Sequence, residues 1–561
     1  MAVFTAVSLF EVGLTLAVGL FLASLLGRYM AKVYLGRPTA LDGLFNPLER
    51  GVYRILGVDP RRLMGWKEYA LNLLLFNAAA LIFVFALLLY QGSLPGNAFG
   101  VPGMEPTLAF HTSSSFLTNT DYQHYVGETQ MSELAQLFGL QLLMFLSAAT
   151  GLSVAAAFIR GFVRRDGNLG NFWWDMTRSL TRILLPVSLV GAGVFVLLGV
   201  PQTFGQSFLI HPFTGGAQVV PTGPLSSWGA IELLGTNGGG YFGANFGHPL
   251  QNPSPATNFV AIVLMMIIPF GTPFMFGAMV RRPGEVGPLL VTILTIFLIS
   301  VFLFLYFEAS NPFLAGVPVS QNGGYLVGAE SRFSLPESSL FQVTSIYSNV
   351  GATSMSLGSL TPGAQLVLLW GMFLQSTPGG EGTGFGTLLI NALLAIFVGG
   401  LMVGRTPEYL GKKLGRLEIR WATITILYHP FVILVPLAAA YVLQLGTAAG
   451  GIPPHAFTVI LYEFTSESAN NGSGMGPIND ATPFFNLVGA TIMLLGRYLP
   501  IIAMLAIGGS LSRQTPVPPG PGTLKTESAT FTLYLIGFIL VVTGLLFLPV
   551  LVLGPFAQGG L

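Results

Sequence analysis

The sequence predicts an all-α polytopic membrane protein with about ten transmembrane helices and four re-entrant segments in a pseudo-fourfold arrangement. Three observations carry this. Of 561 residues, 52% are hydrophobic and only 8% charged, with a mean hydropathy of +0.70; soluble domains carry roughly 25% charged residues. So little charge cannot keep a compact body of this size wetted, which excludes an ordinary soluble enzyme. Apolar stretches long enough to span a bilayer, about 20 residues each, recur along the whole chain. Between alternate stretches, mildly polar segments repeat a theme rich in Asn, Thr, Ser and Gly.

Taken in order, the spans fall near residues 5–27, 69–92, 134–159, 183–200, 257–279, 287–307, 364–404, 422–445, 484–510 and 530–553. The seventh is too long for one straight helix. It encloses Ser376-Thr377-Pro378-Gly379-Gly380-Glu381-Gly382, which predicts two half-helices with a loop between them. Basic residues set the sidedness independently: 22 of the 24 lie in 28–67, 160–182, 281–282, 405–420 and 513–525. With ten alternating spans all five clusters share one side, which the positive-inside rule makes cytoplasmic. Both termini are then expected outside. The first stretch has no Lys or Arg before it and Arg28 just after it, the pattern of an outward-N anchor span rather than a cleavable signal peptide.

Other chemistry is excluded or unsupported. A net charge of +1 rules out bulk electrostatic binding of nucleic acid. With Cys 0 there are no disulfides, thiolate nucleophiles or Cys-ligated clusters. The sequence holds no Asp-Lys-Thr-Gly phosphorylation motif, no GxxxxGK[ST] loop and no HExxH pattern, and its six His read as scattered without a ligand cluster.

The repeated segments read Ser115-Phe116-Leu117-Thr118-Asn119-Thr120-Asp121, Leu233-Leu234-Gly235-Thr236-Asn237-Gly238-Gly239, Ile346-Tyr347-Ser348-Asn349-Val350-Gly351 and Glu467-Ser468-Ala469-Asn470-Asn471-Gly472. Registered on Asn119, Asn237, Asn349 and Asn470, they recur at 118, 112 and 121 residues, which predicts a fourfold internal duplication. A single Asn-Gly run is an ordinary turn; four, on one side and in the same place between spans, are not. Irregular backbone at membrane depth is tolerated only when buried in protein or lining water. Four such segments converging on an axis satisfy that condition together. Their carbonyls can replace the hydration shell of a monovalent cation, with a half-helix C-terminus aimed at the ion. The glycine excess, 71 residues or about 13% against a usual 7%, finds part of its use there.

At these segments the chain resembles the family of the potassium-binding A subunit of the bacterial Kdp potassium-transporting ATPase, within the potassium transporters built from four membrane–pore–membrane repeats. The most specific matches are Thr236-Asn237-Gly238-Gly239-Gly240-Tyr241-Phe242-Gly243-Ala244-Asn245 and Gly404-Arg405-Thr406-Pro407-Glu408-Tyr409-Leu410-Gly411-Lys412-Lys413. The resemblance covers essentially the whole chain. It implies a K+-selecting subunit in the bacterial cytoplasmic (inner) membrane. Potassium ion would be its bound substrate, with no organic cofactor. A partner P-type ATPase subunit would hydrolyse ATP, and small C and F subunits would complete the complex. Carried over, the selectivity filter falls on Asn119, Thr120 and Asp121; on Thr236, Asn237, Gly238 and Gly239; on Ser348, Asn349, Val350 and Gly351; and on Asn470, Asn471 and Gly472. Gln123 matches a position associated with K+ affinity. Asp121 departs from the family, where Asn is expected; a carboxylate there would strengthen outer cation attraction or alter selectivity.

The corresponding division is 1–67 for the N-terminal span and cytoplasmic loop, 68–165, 166–282, 283–420 and 421–512 for four pore repeats, and 513–561 for the last span. Arg497, well inside the ninth span, costs about 2.5–3.5 kcal/mol at mid-membrane and must face the protein interior. It is expected to stand below the filter as a barrier to leak; the plainer alternatives are a structural partner for a buried carbonyl or carboxylate, or snorkelling. The break at Gly379, Gly380 and Glu381 is the second candidate gate, with a structural kink as its alternative. Arg405 and the Lys412-Lys413 pair are expected to mark the cytoplasmic face. A regulator-gated potassium channel or symporter not coupled to ATP is the competing function. A membrane enzyme or secondary carrier is disfavoured, because inverted-repeat carriers place broken helices near the midplane.

Overall fold

The computed structural model describes residues 6–95, 97, 100–204, 208–211, 215–216, 218–310, 330–445, 454–476, 478–518 and 523–558. The chain ends, and with them the expected outward termini, lie outside the described residues. Nine helices among these are long and apolar enough to cross a membrane, at Leu9–Tyr34, Trp66–Leu89, Ala135–Val163, Phe172–Leu197, Pro283–Ala309, Thr383–Met402, Arg416–Val442, Pro483–Leu511 and Ala529–Gln558. A tenth is the pair Pro255–Ile267 and Pro269–Val280, bent by 42°. Pro269 lacks the N–H that would continue the ladder, which accounts for the bend. The Ser254 hydroxyl accepts from the Thr257 amide and starts that span with a capping box.

The seventh span divides as expected, into Pro362–Leu374 and Thr383–Met402. The fourth starts earlier than the sequence predicts, at Phe172 rather than near 183. Its first turns carry Arg178 and Arg182, whose charges argue against a membrane helix. The helix Asp42–Leu56 resolves this. Arg182 is fully buried and ion-paired with both Asp42 and Glu49, while Arg178 lies 4.1 Å over the Trp174 ring.

Burial sorts the spans. Over its most apolar window Ala135–Val163 is 83% buried, against 17% for Leu9–Tyr34, so the third span is central and the first peripheral. Where Ala135–Val163 meets Pro483–Leu511, a Cβ on Gly161 would overlap the backbone of Gly508. Small residues there let two helices close to backbone distance, the usual packing device inside a membrane.

On the face carrying the basic clusters, Glu408–Tyr409 and Lys412–Lys413 pair as a hairpin. Its two turn residues, Leu410 and Gly411, both have positive φ, as a tight two-residue turn requires. Lys412 is fully buried on this face and donates to the carbonyls of Gly161 (2.8 Å), Arg164 (2.6 Å) and Leu511 (2.8 Å). It caps the C-terminal ends of the third and ninth spans, where carbonyls lack helical partners and a cation is favoured.

Candidate functional site

Four short helices, Pro106–Leu117, Leu225–Leu234, Leu335–Tyr347 and Pro454–Ala469, each run into one of the polar segments. The first begins at Glu105, whose carboxylate accepts from the Leu108 amide at 2.9 Å; the third begins at a Ser334–Glu337 capping box. Beyond each helix the backbone turns in the same way. A first residue is left-handed: Asn119 (φ 62°), Thr236 (49°), Asn349 (49°) and Asn470 (52°). Two residues on, the backbone is left-handed again, at Asp121 (55°), Gly238 (83°), Gly351 (86°) and Gly472 (93°). The amide of the residue between them folds back onto the helix: Thr120 to the Ser115 carbonyl (2.9 Å), Asn237 to Glu232 (2.9 Å), Val350 to Ser345 (2.7 Å) and Asn471 to Ser466 (2.9 Å).

This geometry corrects one register. In the second repeat Thr236, rather than Asn237, is the counterpart of Asn119, Asn349 and Asn470. Matching asparagines by type misaligned the segment by one residue, whereas the left-handed positions align it directly.

The segments close on one another in chain order. A Cβ on Gly238 would overlap the Val350 carbonyl, one on Gly351 the Asn471 carbonyl, and one on Gly472 the Thr120 carbonyl. Glycine is thus needed there twice over, for φ and for the approach of the next segment. Asn119 completes the ring by donating to the carbonyls of Thr236 (2.7 Å) and Gly235 (3.0 Å). Asp121 stands where the other repeats have glycine, and the missing Cβ of Gly239 makes room for its own. Among the described residues no hydrogen bond reaches the main-chain carbonyl oxygens of Thr120, Asn237, Val350 or Asn471. Beyond the third positions, a cavity of about 270 Å³ is lined by Tyr122, Gln123, Gly238, Gly351, Gly472 and Asp480 among others. On the opposite side a cavity of about 30 Å³ is lined by Asn119, Asn349, Asn470, Gly380, Thr383 and Arg497 among others.

The two barrier candidates, separate in the sequence, form one assembly beneath this ring. Gly379 donates to the Tyr347 carbonyl at 2.8 Å, which pins the break to the third pore helix. Glu381 is fully buried; its Oε2 accepts from Asn119 Nδ2 at 3.1 Å and from the Thr236 hydroxyl. Its Oε1 faces Arg497 Nη2 at 3.2 Å. Arg497 also donates to the Ser147 carbonyl (2.8 Å) and the Thr383 hydroxyl (3.1 Å). The guanidinium therefore has both a carboxylate and a carbonyl partner, which the plainer reading allowed, and it lines the cavity directly under the ring.

Several supporting residues escaped the sequence reading. The Ser147 hydroxyl contacts the side-chain oxygens of both Asn119 (2.7 Å) and Asn237 (3.1 Å). Asn245 Nδ2 donates to the Gly238 carbonyl (2.6 Å) and Trp228 Nε1 to that of Gly239 (2.8 Å). Asn245 at least closes the conspicuous Thr236–Asn245 string; Ser147 carries no signal beyond being polar in an apolar span. The histidines are not all scattered: the rings of His111 and His124 stack 3.8 Å apart, brought together from the helix Pro106–Leu117 and the stretch that follows it.

The family profile described as potassium-transporting ATPase A subunit matches residues 13–559. The chain belongs to the KdpA family. Relatives agree over nearly the full length. A potassium-transporting ATPase potassium-binding subunit from Gloeobacter violaceus is 43% identical over 558 residues, covering 97% of this chain and 96% of that one. One of the same description from Geobacillus kaustophilus is 41% identical over 535 residues, 95% of each. Among solved structures, the potassium transporter TrkH from Vibrio parahaemolyticus superposes with a TM-score of 0.52 at 18% identity, over 89% of this chain and 98% of that one. At that identity the likeness concerns fold, and it extends the KdpA-family membrane architecture beyond close relatives.

Proposed function

We propose that this chain selects and translocates K+ as the ion-binding subunit of an ATP-driven uptake complex. ATP hydrolysis falls to a partner P-type ATPase subunit, with small C and F subunits alongside, in the bacterial inner membrane with both termini outside. The single observation that carries the reading is the ring of four segments, each with two left-handed residues flanking a carbonyl that no described hydrogen bond engages. Neutral oxygens in such a ring replace water around a monovalent cation. Four pore-helix C-termini add partial negative charge of about half an elementary unit each.

In this reading the filter comprises Asn119, Thr120, Asp121, Thr236, Asn237, Gly238, Gly239, Ser348, Asn349, Val350, Gly351, Asn470, Asn471 and Gly472, with Gln123 at its outer edge. The four repeats correspond to 68–165, 166–282, 283–420 and 421–512. K+ sheds water at the outer cavity, is held by the ring, and meets Arg497 below. Two like charges 4 Å apart repel by about 4 kcal/mol at an effective dielectric of 20, which at such an approach would slow passive leak by about a thousandfold. Glu381 offsets part of that repulsion, so the Glu381–Arg497 pair sets the barrier that ATP-driven change in the partner must overcome.

The test is K+-stimulated ATPase of the assembled complex carrying Gly238→Asp. The side chain collides with the Val350 carbonyl, so the expected result is at least tenfold weaker K+ dependence and relaxed discrimination against Rb+ and NH4+. Unchanged ion dependence would remove the second segment from the filter. K+ flux through the purified chain alone, without nucleotide, would favour the uncoupled channel instead.

A further inference from the structure

We infer that the outer face carries a second cation site, distinct from the filter, that takes a divalent transition metal of the zinc class on His124, Glu463 and Asp480. Hydrogen-bond logic comes first. The Glu105 carboxylate can only accept, so the Thr107 hydroxyl donates to it at 2.5 Å. The Thr107 oxygen then accepts from Asn486 Nδ2 at 3.0 Å. That turns Asn486 Oδ1 toward His124 Nδ1 at 2.8 Å, so Nδ1 carries the proton. Nε2 is left facing two carboxylates, Glu463 Oε1 at 3.1 Å and Asp480 Oδ2 at 3.9 Å. The other Glu463 oxygen is held by the Tyr122 hydroxyl at 2.6 Å. A lone pair set against carboxylate oxygens requires a proton or a metal cation between them.

Geometry and surroundings fit a metal. Ligands about 2.0–2.2 Å from a tetrahedral zinc lie roughly 3.3–3.5 Å apart; the two imidazole–carboxylate separations of 3.1 and 3.9 Å lie on either side of that range, and all three ligand atoms fall within 4.8 Å of one another. A ligating imidazole normally has its other nitrogen fixed by a hydrogen bond, which is the role of Asn486. Behind this set, His111 stacks on His124 and faces Glu467 Oε1 at 3.3 Å. His111 Nδ1 and Glu467 Oε2 are buried and make no hydrogen bond, and a Cβ on Gly489 would overlap the Glu467 carboxylate, so the acid is given room. Among the described residues the ion pairs of Glu463, Glu467 and Asp480 are with these two histidines. Two rings stacked 3.8 Å apart do not both carry charge, so three carboxylates face at most one imidazolium. A divalent cation on Nε2 takes the place of any proton there and offsets two of those three charges. Access comes through Asp480, which also lines the outer cavity. Bound there, the metal would tie the first repeat to the fourth.

The experiment uses the full complex in detergent, washed with chelator, and titrated with Co2+ alone while visible absorption is followed. The expected result is saturation at one equivalent with bands of a four- or five-coordinate ion, displaced by Zn2+ but not by millimolar Mg2+. His124→Gln and the partly exposed Asp480→Asn, both checked for monodisperse elution, should each weaken binding at least tenfold. A proton on Nε2 is the rival occupant of the same gap. If so, no saturable band forms at one equivalent, and the inference is overturned. Binding unaltered in both variants, or displacement by Mg2+ as readily as by Zn2+, overturns it equally.

Discussion

Arg497 and Glu381 lie 116 residues apart in the chain yet share one buried contact, and their two truncations should act in opposite directions. With Glu381→Gln, the guanidinium stands unneutralised below the ring and repels K+ more strongly. ATP-driven uptake should fall while passive flux stays negligible. With Arg497→Gln, a carboxylate is left to attract the ion, and K+ leak should appear in proteoliposomes without nucleotide. Removing either partner of a buried pair also costs about 3–5 kcal/mol, so both variants should melt at lower temperature. Two variants that change flux in the same direction would assign the pair a structural role only. The Arg497 position was legible because a charge at membrane depth stands out in any sequence. Its partner was not, since nothing in Gly380-Glu381-Gly382 says which span the acid will face. The histidine–carboxylate cluster was hidden for the same reason: His111 and Glu467 are 356 residues apart.

At the scale of elements, span count and the broken seventh span followed from hydropathy, since length and apolarity decide both. The fourth span resisted because hydropathy scores Arg178 and Arg182 as excluded, while the helix Asp42–Leu56 neutralises and covers them. The hairpin Glu408–Lys413 is a similar case. Its Lys-Lys pair reads as a cytoplasmic marker, but only the structure distinguishes Lys412 inside from Lys413 outside. Lys412→Met should leave the Gly161 and Arg164 carbonyls without a donor, at about 1–3 kcal/mol each, while that of Leu511 keeps the Gln514 amide. A drop of several degrees or more in the melting temperature of the detergent-solubilised chain is expected, measured by tryptophan fluorescence. Lys413→Met should shift it by less than a degree.

For the whole molecule, orientation can be tested with little background, because the sequence contains no cysteine. A single Thr129→Cys, exposed beyond the first polar segment, should react with a membrane-impermeant maleimide in intact spheroplasts. A single Arg165→Cys, exposed in the second basic cluster, should react only after permeabilisation. The reverse pattern would invert the topology. Fusing four repeats in one chain also has a consequence for the ring's charge. In an assembly of four identical subunits, any side chain placed at the filter appears four times, and an acid there would build a field of four negative charges. Here Asp121 occupies the position held elsewhere by Gly238, Gly351 and Gly472, so a single acid enters a ring otherwise built from neutral groups. Covalent fusion thus allows charge around the ring to be set in steps of one, independently for each of its four segments.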